Sequence, residues 1–279
     1  MPVALVSGAS SGIGRASALA LAASGWTVLT GVRDVAVGEQ IAAEAPAGRI
    51  RPVQLDITDA AQIEQAAALV QREHSGRLEA LVNNAGIGFG GPLELLSPEA
   101  LREQFDVNVF AQVALTQALL PALRRTHGRV VFVSSIGGRV AMGFTAPYAA
   151  SKHAIEAIGD ALRVELHRSH VEVALIEPGS VATPIWDKGR EQAASFRIPP
   201  EFEELYGDIP AALTKTLEDT ARRGVPPEQV AATIERALTA RRMRARYVVG
   251  RDAHVMLALK TLLPARAFDA FARRALHVR

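Results

Sequence analysis

Cysteine is absent from the chain, which excludes disulfides, thiolate metal ligands and a cysteine nucleophile. Long apolar runs are missing as well, and no stretch approaches the ~20 residues that a bilayer-crossing helix needs. The amino end has no basic segment leading into an apolar core and a cleavage site; Pro2 to Val6 runs straight into a glycine-rich turn. Charge of one sign is lacking too. Basic and acidic residues number 31 and 29, a formal net charge of +2, which is no footprint of a nucleic-acid partner. The seven histidines show no HxxxH or paired-ligand spacing, so no metal site is expected. A soluble, cytoplasmic protein without a transmembrane span is the expectation.

What is present is apolar and periodic. With 49% hydrophobic residues over 279 positions, a large core needs no covalent staple. Short, nearly continuous apolar runs at 3–6, 27–30, 50–54, 78–82, 130–133, 171–176 and 246–249 read as strands. Between them, alanine- and leucine-rich patterns at 14–23, 37–45, 60–73, 98–125, 148–168 and 227–239 read as helices. This alternation predicts βαβ units: an α/β fold with one doubly wound, Rossmann-type parallel sheet and helices on both faces. No repeat or linker divides the chain, so residues 1–279 are expected to form one nucleotide-binding domain. Two stretches leave the rhythm. Residues 184–224 are polar and proline-bearing but carry Ile185, Trp186, Phe196, Phe202, Leu205 and Tyr206. Residues 251–279 form an arginine-rich amphipathic extension.

Ser7-Gly8-Ala9-Ser10-Ser11-Gly12-Ile13-Gly14 joins the first strand to the first helix. Glycines there let the backbone turn tightly and approach a pyrophosphate seated on free N–H groups at the helix start. At the end of the second strand, Arg33 suits a ribose 2′-phosphate, whereas an acidic residue would bind a 2′-hydroxyl. Asp34 follows directly, and a register shift of one residue would reverse the reading; a solvated Arg–Asp pair is the plain alternative.

Tyr148 and Lys152 stand four apart on a helix and so share a face. Lys152 precedes every other lysine in a chain that otherwise uses arginine for positive charge, as expected where a compact, mobile ammonium is required. Ser135 lies just beyond the strand at 130–133, the end at which open α/β sheets bind ligands. It would equally suit a cap of the following turn. Ser134 is one residue out of register for the same role.

The glycine spacing, together with Ser135, Tyr148 and Lys152, resembles the short-chain dehydrogenase/reductase family, in its 17β-hydroxysteroid dehydrogenase-like and retinol dehydrogenase-like branch. The resemblance covers nearly the whole chain. It implies that Asp56 and Ile57 contact adenine, that Asn84, Ala85 and Gly86 face the cofactor, and that Pro178, Gly179, Val181 and Thr183 meet the nicotinamide. It also implies a catalytic set of Asn108, Ser135, Tyr148 and Lys152. In that set Tyr148 is acid/base, Ser135 polarises a carbonyl, Lys152 lowers the tyrosine pKa and Asn108 holds a relay water. NADP(H), preferred over NAD(H), would bind to Gly8, Ser10, Ser11, Gly12, Ile13, Gly14, Arg33, Tyr148, Lys152 and the contacts just named. The substrate is expected to be a small lipophilic ketone, aldehyde or alcohol, with residues 184–224 lying over it as a lid. The protein would be a homodimer or homotetramer whose tail covers the cleft, joins an oligomer interface, touches a membrane surface or simply packs. Alternatives are a 3-ketoacyl thioester reductase and, in another class, an NADP(H)-binding redox sensor. The sensor would not need Ser135, Tyr148 and Lys152 together.

Overall fold

The computed structural model describes residues 1–276, so the final three residues of the expected extension, 277–279, lie outside the described residues. Seven parallel strands are present: β1 (Val3–Ser7), β2 (Thr27–Val32), β3 (Ile50–Gln54), β4 (Ala80–Asn83), β5 (Arg129–Val133), β6 (Glu172–Pro178) and β7 (Arg246–Val249). Their order across the sheet is β3-β2-β1-β4-β5-β6-β7. The direction of winding reverses between β1 and β4, which opens a crevice at the carboxyl ends of the strands. Each strand lies within two residues of its expected position.

Alternating side chains leave the sheet on opposite faces, and each face is apolar. Ala4, Val6 and Val28 pack with Leu21, Ile41 and Ile234, beneath α1 (Gly12–Ala23), α2 (Val35–Glu44) and α10 (Pro227–Thr239). Leu5, Leu29 and Phe132 pack with Val70, Leu115 and Ile155, beneath α3 (Ala60–Glu73), α5 (Ala111–Thr126) and α6 (Ala146–Glu165). Pro52 is tolerated because β3 is an edge strand.

One expected element is corrected. The helical pattern at 98–125 is not one helix but α4 (Pro98–Phe105), a π-helical turn at Asp106–Phe110, and then α5. The wider turn re-aims the chain so that Asn108 is fully buried. The stretch 184–224 is largely helical: α7 (Ile185–Ser195), the short α8 (Glu203–Tyr206) and α9 (Ile209–Arg223). The tail folds as α11 (Arg251–Leu262) and α12 (Ala265–Ala275), and α12 buries Phe268. No helix of the described residues is long and apolar enough to cross a membrane.

Leu175 is fully buried, and its side chain lies against Gly159 of α6. Leu175→Ala should therefore destabilise the fold by about 2–5 kcal/mol, whereas Leu262→Ala, at an exposed position, should change it by less than about 0.5 kcal/mol. Denaturant unfolding of both variants checks this contrast.

Candidate active site

A cleft of about 1150 Å³ opens at the winding reversal. The expected site residues line it, except Asn108 and Gly14, which stand behind its wall. Gly8 and Gly12 take positive φ values of +63° and +53°, which side chains rarely adopt. A Cβ on Gly14 would lie 2.3 Å from the Gly8 carbonyl oxygen and 2.5 Å from Asn84 Nδ2. Gly14 therefore keeps the loop closed rather than touching a ligand. Asn84 Nδ2 donates to the carbonyls of Ser7 and Gly8, both at 3.0 Å, while Ser7 Oγ accepts from the Asn84 and Ala85 amides at 3.1 and 3.2 Å. The loop is thus fixed to the chain leaving β4. Ser11 begins α1 without a side-chain cap, so the first amides of that helix are not closed off by it.

Capping sets Arg33 and Asp34 apart. The Asp34 carboxylate accepts from the Ala36 amide at 2.9 Å at the start of α2, and Arg33 alone of the pair lines the cleft. Across from it, Asp56 accepts from Thr58 Oγ1 at 2.7 Å and the Thr58 amide at 3.0 Å. Burial pushes the Asp56 carboxyl up, but these bonds and the nearby Arg33 bring it below its ordinary value.

Residues 83–89, which leave β4, are held by four buried side chains spaced four apart. Asn83 Nδ2 donates to Thr116 Oγ1, Gln112 Nε2 to the Ala85 carbonyl, and Asn108 Nδ2 to the Ile87 carbonyl. Asn108 Oδ1 and Gln104 Oε1 accept from the Ile87 and Phe89 amides, both at 2.8 Å. Asn108 also donates to Ser151 Oγ at 3.0 Å, one residue before Lys152. Gln104, Gln112 and Thr116 escaped the sequence reading, although their spacing with Asn108 was a visible signal.

Tyr148, Lys152 and Ser135 come together at the carboxyl edge of the sheet. Ser135 Oγ caps the turn Ile136–Gly138 by accepting from the Gly137 amide at 3.0 Å, and the residue also lines the cleft. Lys152 Nζ donates to the Val133 carbonyl at 2.9 Å and stands 5.9 Å from the centre of the Tyr148 ring. Burial pushes the Tyr148 phenol up, opposed by Ser135, and pushes the Lys152 ammonium down to about 8, opposed by Glu156. In the chain alone, desolvation therefore outweighs the expected lowering of the phenol by the ammonium.

Gly179 and Ser180 are tied to β7 and α11: the Gly179 amide donates to the Val249 carbonyl at 2.8 Å, and the Ser180 amide to Asp252 Oδ2 at 2.7 Å. Asp252 lines the cleft and was missed, since no local pattern links it to residue 180. Thr183 packs against Gly12, where an added Cβ would lie 3.0 Å from its methyl group. The outer end is walled by Met142, Phe144, Ile185, Trp186, Leu217 and Leu276. Of the apolar residues picked out in 184–224, only Ile185 and Trp186 reach it. Phe202 and Tyr206 stack on each other 6.3 Å apart, and Leu205 faces solvent.

The fold and site define a doubly wound α/β protein whose ligand cleft joins a glycine-rich loop to a serine–tyrosine–lysine cluster with the lysine buried. A family model described as short chain dehydrogenase matches residues 2–194. The chain is 36% identical over 275 residues to the NADPH-dependent 3-dehydrocapnine reductase of Ornithobacterium rhinotracheale, covering 96% of this chain and 95% of that one. It is 35% identical to retinol dehydrogenase 5 of Mus musculus, covering 95% and 86%. A short-chain dehydrogenase structure from Streptomyces avermitilis superposes with a TM-score of 0.79 at 33% identity, covering 99% and 97%. The chain belongs to the short-chain dehydrogenase family of oxidoreductases.

Lys152 gives a pH test of this geometry. Its folded value near 8 lies below its ordinary 10.5, so between those values the unfolded chain binds more protons. Stability from this group should therefore rise with pH across the window, by about 3 kcal/mol at most. Unfolding of the wild type and Lys152→Met at both ends of the window should show the gain in the wild type alone; equal changes would contradict it.

Proposed function

We propose that this chain is an NADP(H)-dependent reductase or dehydrogenase that interconverts a lipophilic ketone or aldehyde and its alcohol. The observation that carries the reading is the burial of Lys152 beside Tyr148, with Ser135 on the same cleft wall. The cleft's inner half fits a dinucleotide. Its loop bares backbone at Gly8 and Gly12, the start of α1 is uncapped, and Arg33 offers a cation where a 2′-phosphate would sit. Gly8, Ser10, Ser11, Gly12 and Ile13 would hold the pyrophosphate, Arg33 the 2′-phosphate, Asp56 and Ile57 the adenine. Asn84, Ala85, Gly86, Pro178, Gly179, Val181 and Thr183 would line the nicotinamide half. When bound, the cofactor supplies or accepts a hydride.

The chain's own residues do the rest. Ser135 donates a hydrogen bond to the carbonyl oxygen and polarises it. Tyr148 gives that oxygen a proton in reduction and takes one in oxidation. Phenol ionisation must fall from its buried, raised value for this exchange, and a positive charge held at Lys152 favours it. Asn108 anchors the Ile87 backbone and Ser151, holding the lysine's helix against the chain that leaves β4. Its expected part in a proton relay rests on a water reaching Lys152. The apolar outer wall supports a lipophilic substrate, and the lid (184–224) and tail supply that wall.

Tyr148→Phe should lower NADPH-dependent carbonyl reduction by about a thousandfold while leaving NADPH binding within about threefold. Full activity in that variant would overturn the reading; tight binding without turnover in the wild type would favour a redox sensor. Arg33→Ala should weaken NADPH binding about tenfold or more and leave NADH nearly unchanged, measured by titration of cofactor fluorescence.

A further inference from the structure

Behind the cleft lies a group of charges, built around two buried carboxylates, that the proposed reaction does not use. Glu156 stands one helical turn after Lys152 on α6, so the two side chains share a face. Glu156 is 5% exposed and Glu177, near the end of β6, is 0% exposed. Both carboxylates converge on one guanidinium: Arg246 Nε of β7 lies 3.0 Å from Glu156 Oε2 and 2.9 Å from Glu177 Oε1. Arg246 also reaches Asp160 Oδ2 at 2.6 Å, a further turn along α6. Arg139, following the turn Ile136–Gly138, approaches Glu177 Oε1 at 3.2 Å. The turn closes tightly over this group because residue 138 is glycine. A Cβ there would lie 2.8 Å from Ser134 Oγ, 2.9 Å from Glu156 Cγ and 3.0 Å from the Lys152 carbonyl oxygen. Among the described residues, Glu177 Oε2 is buried without a hydrogen-bond partner, and Ser134 Oγ stands beside Glu156.

Such a group is costly. A buried ion pair is often no better for stability than apolar side chains of similar volume, and an unpartnered buried oxygen makes it worse. Packing alone does not account for it. Lys152 donates to a neutral carbonyl, that of Val133, and receives no carboxylate contact from the cleft side. The nearest carboxylate along its own helix face is Glu156. Resting on the catalytic reading above, we infer that Glu156 is a positioning residue that acts through Lys152. Its buried carboxylate, set by Arg246 and Glu177, holds the lysine in its charged form beside Tyr148.

The groups facing Glu156 are Lys152 and Asp160 on α6, Ser134 after β5, Arg139 beyond the turn, Glu177 on β6 and Arg246 on β7. Burial pushes Glu156 up; the neighbouring Ser134 hydroxyl pulls it down, Glu177 adds to the push, and Arg246 pulls it down again. The balance between these neighbours therefore decides how much negative charge Lys152 sees.

The chain has four lysines, so isotopic labelling of the lysine ε-carbons gives few NMR resonances, and Lys152→Arg identifies the one at 152. In the cofactor-free protein, Glu156→Gln should lower the Lys152 titration midpoint by about half a pH unit or more, and Glu156→Asp should bring it back towards the wild type. An unmoved midpoint in a folded Glu156→Gln protein would overturn the inference. Should that variant not fold, the wild-type resonance still decides the matter. It should show a second, smaller inflection on the acid side as Glu156 titrates, and a single smooth inflection would overturn the inference. In turnover, the same variant should move the acid limb of alcohol oxidation to higher pH. A merely structural role would lower the rate and leave the limb in place. Because the NMR midpoint needs no catalysis, a full rate in Tyr148→Phe would sink the catalytic reading and leave this coupling standing.

Discussion

The structure depends on satisfying a stretch of backbone that has left its sheet. Residues 84–89 run out beyond β4 into the cleft, where a strand partner would fill the space a ligand needs. Their amides and carbonyls must still find partners, because an unpaired buried backbone group costs about as much as a lost hydrogen bond. Gln104, Asn108 and Gln112 supply them from α4, the π-helical turn and α5. From the other side, Ser7 and Asn84 lock the glycine-rich loop to the same stretch. Asn108 carries the connection on to Ser151 and so to the helix that bears Tyr148 and Lys152. One polar clasp thus sets the floor of the cleft and the position of its reactive wall.

The two halves of the cleft are built in different ways. The inner half is backbone and small side chains, contributed by the ends of β1, β2, β4 and β6, and little in it can move without disturbing the sheet. The outer half is assembled from α7, α9, α11 and α12, which meet the body through separate apolar contacts such as Phe268 beneath α12. A rigid half suits a constant cofactor, and a wall of late-chain side chains suits a variable substrate. The division follows from topology, since the chain between β5 and α6, the crossover after β6 and the chain after β7 all fold over the open edge.

Much of this was legible in the sequence because it is local. Short apolar runs alternating with helical patterns gave the sheet, and the four-residue spacing of Tyr148 and Lys152 placed them on one face. Arg33 and Asp34 were not separable, because neighbours at a strand end point to opposite sides and only the Ala36 amide shows which one caps. The break in 98–125 was hidden because a π-helical turn leaves the polar spacing intact through Gln104, Asn108, Gln112 and Thr116. Asp252 could not be found at all: its partner, the Ser180 amide, is 72 residues away. Within 184–224, α9 was masked by Pro210 in its first turn, where proline is tolerated.

In the proposed reaction this cleft carries hydride between a dinucleotide and a carbonyl carbon beside Tyr148. The most direct measurement uses NADPH deuterated at the transferable nicotinamide position, in single turnover with lipophilic aldehydes and ketones, and mass analysis of the products. The account predicts one deuterium on the carbinol carbon of the product alcohol. An alcohol formed without deuterium, or bound NADPH that never transfers its label to any carbonyl, would contradict it.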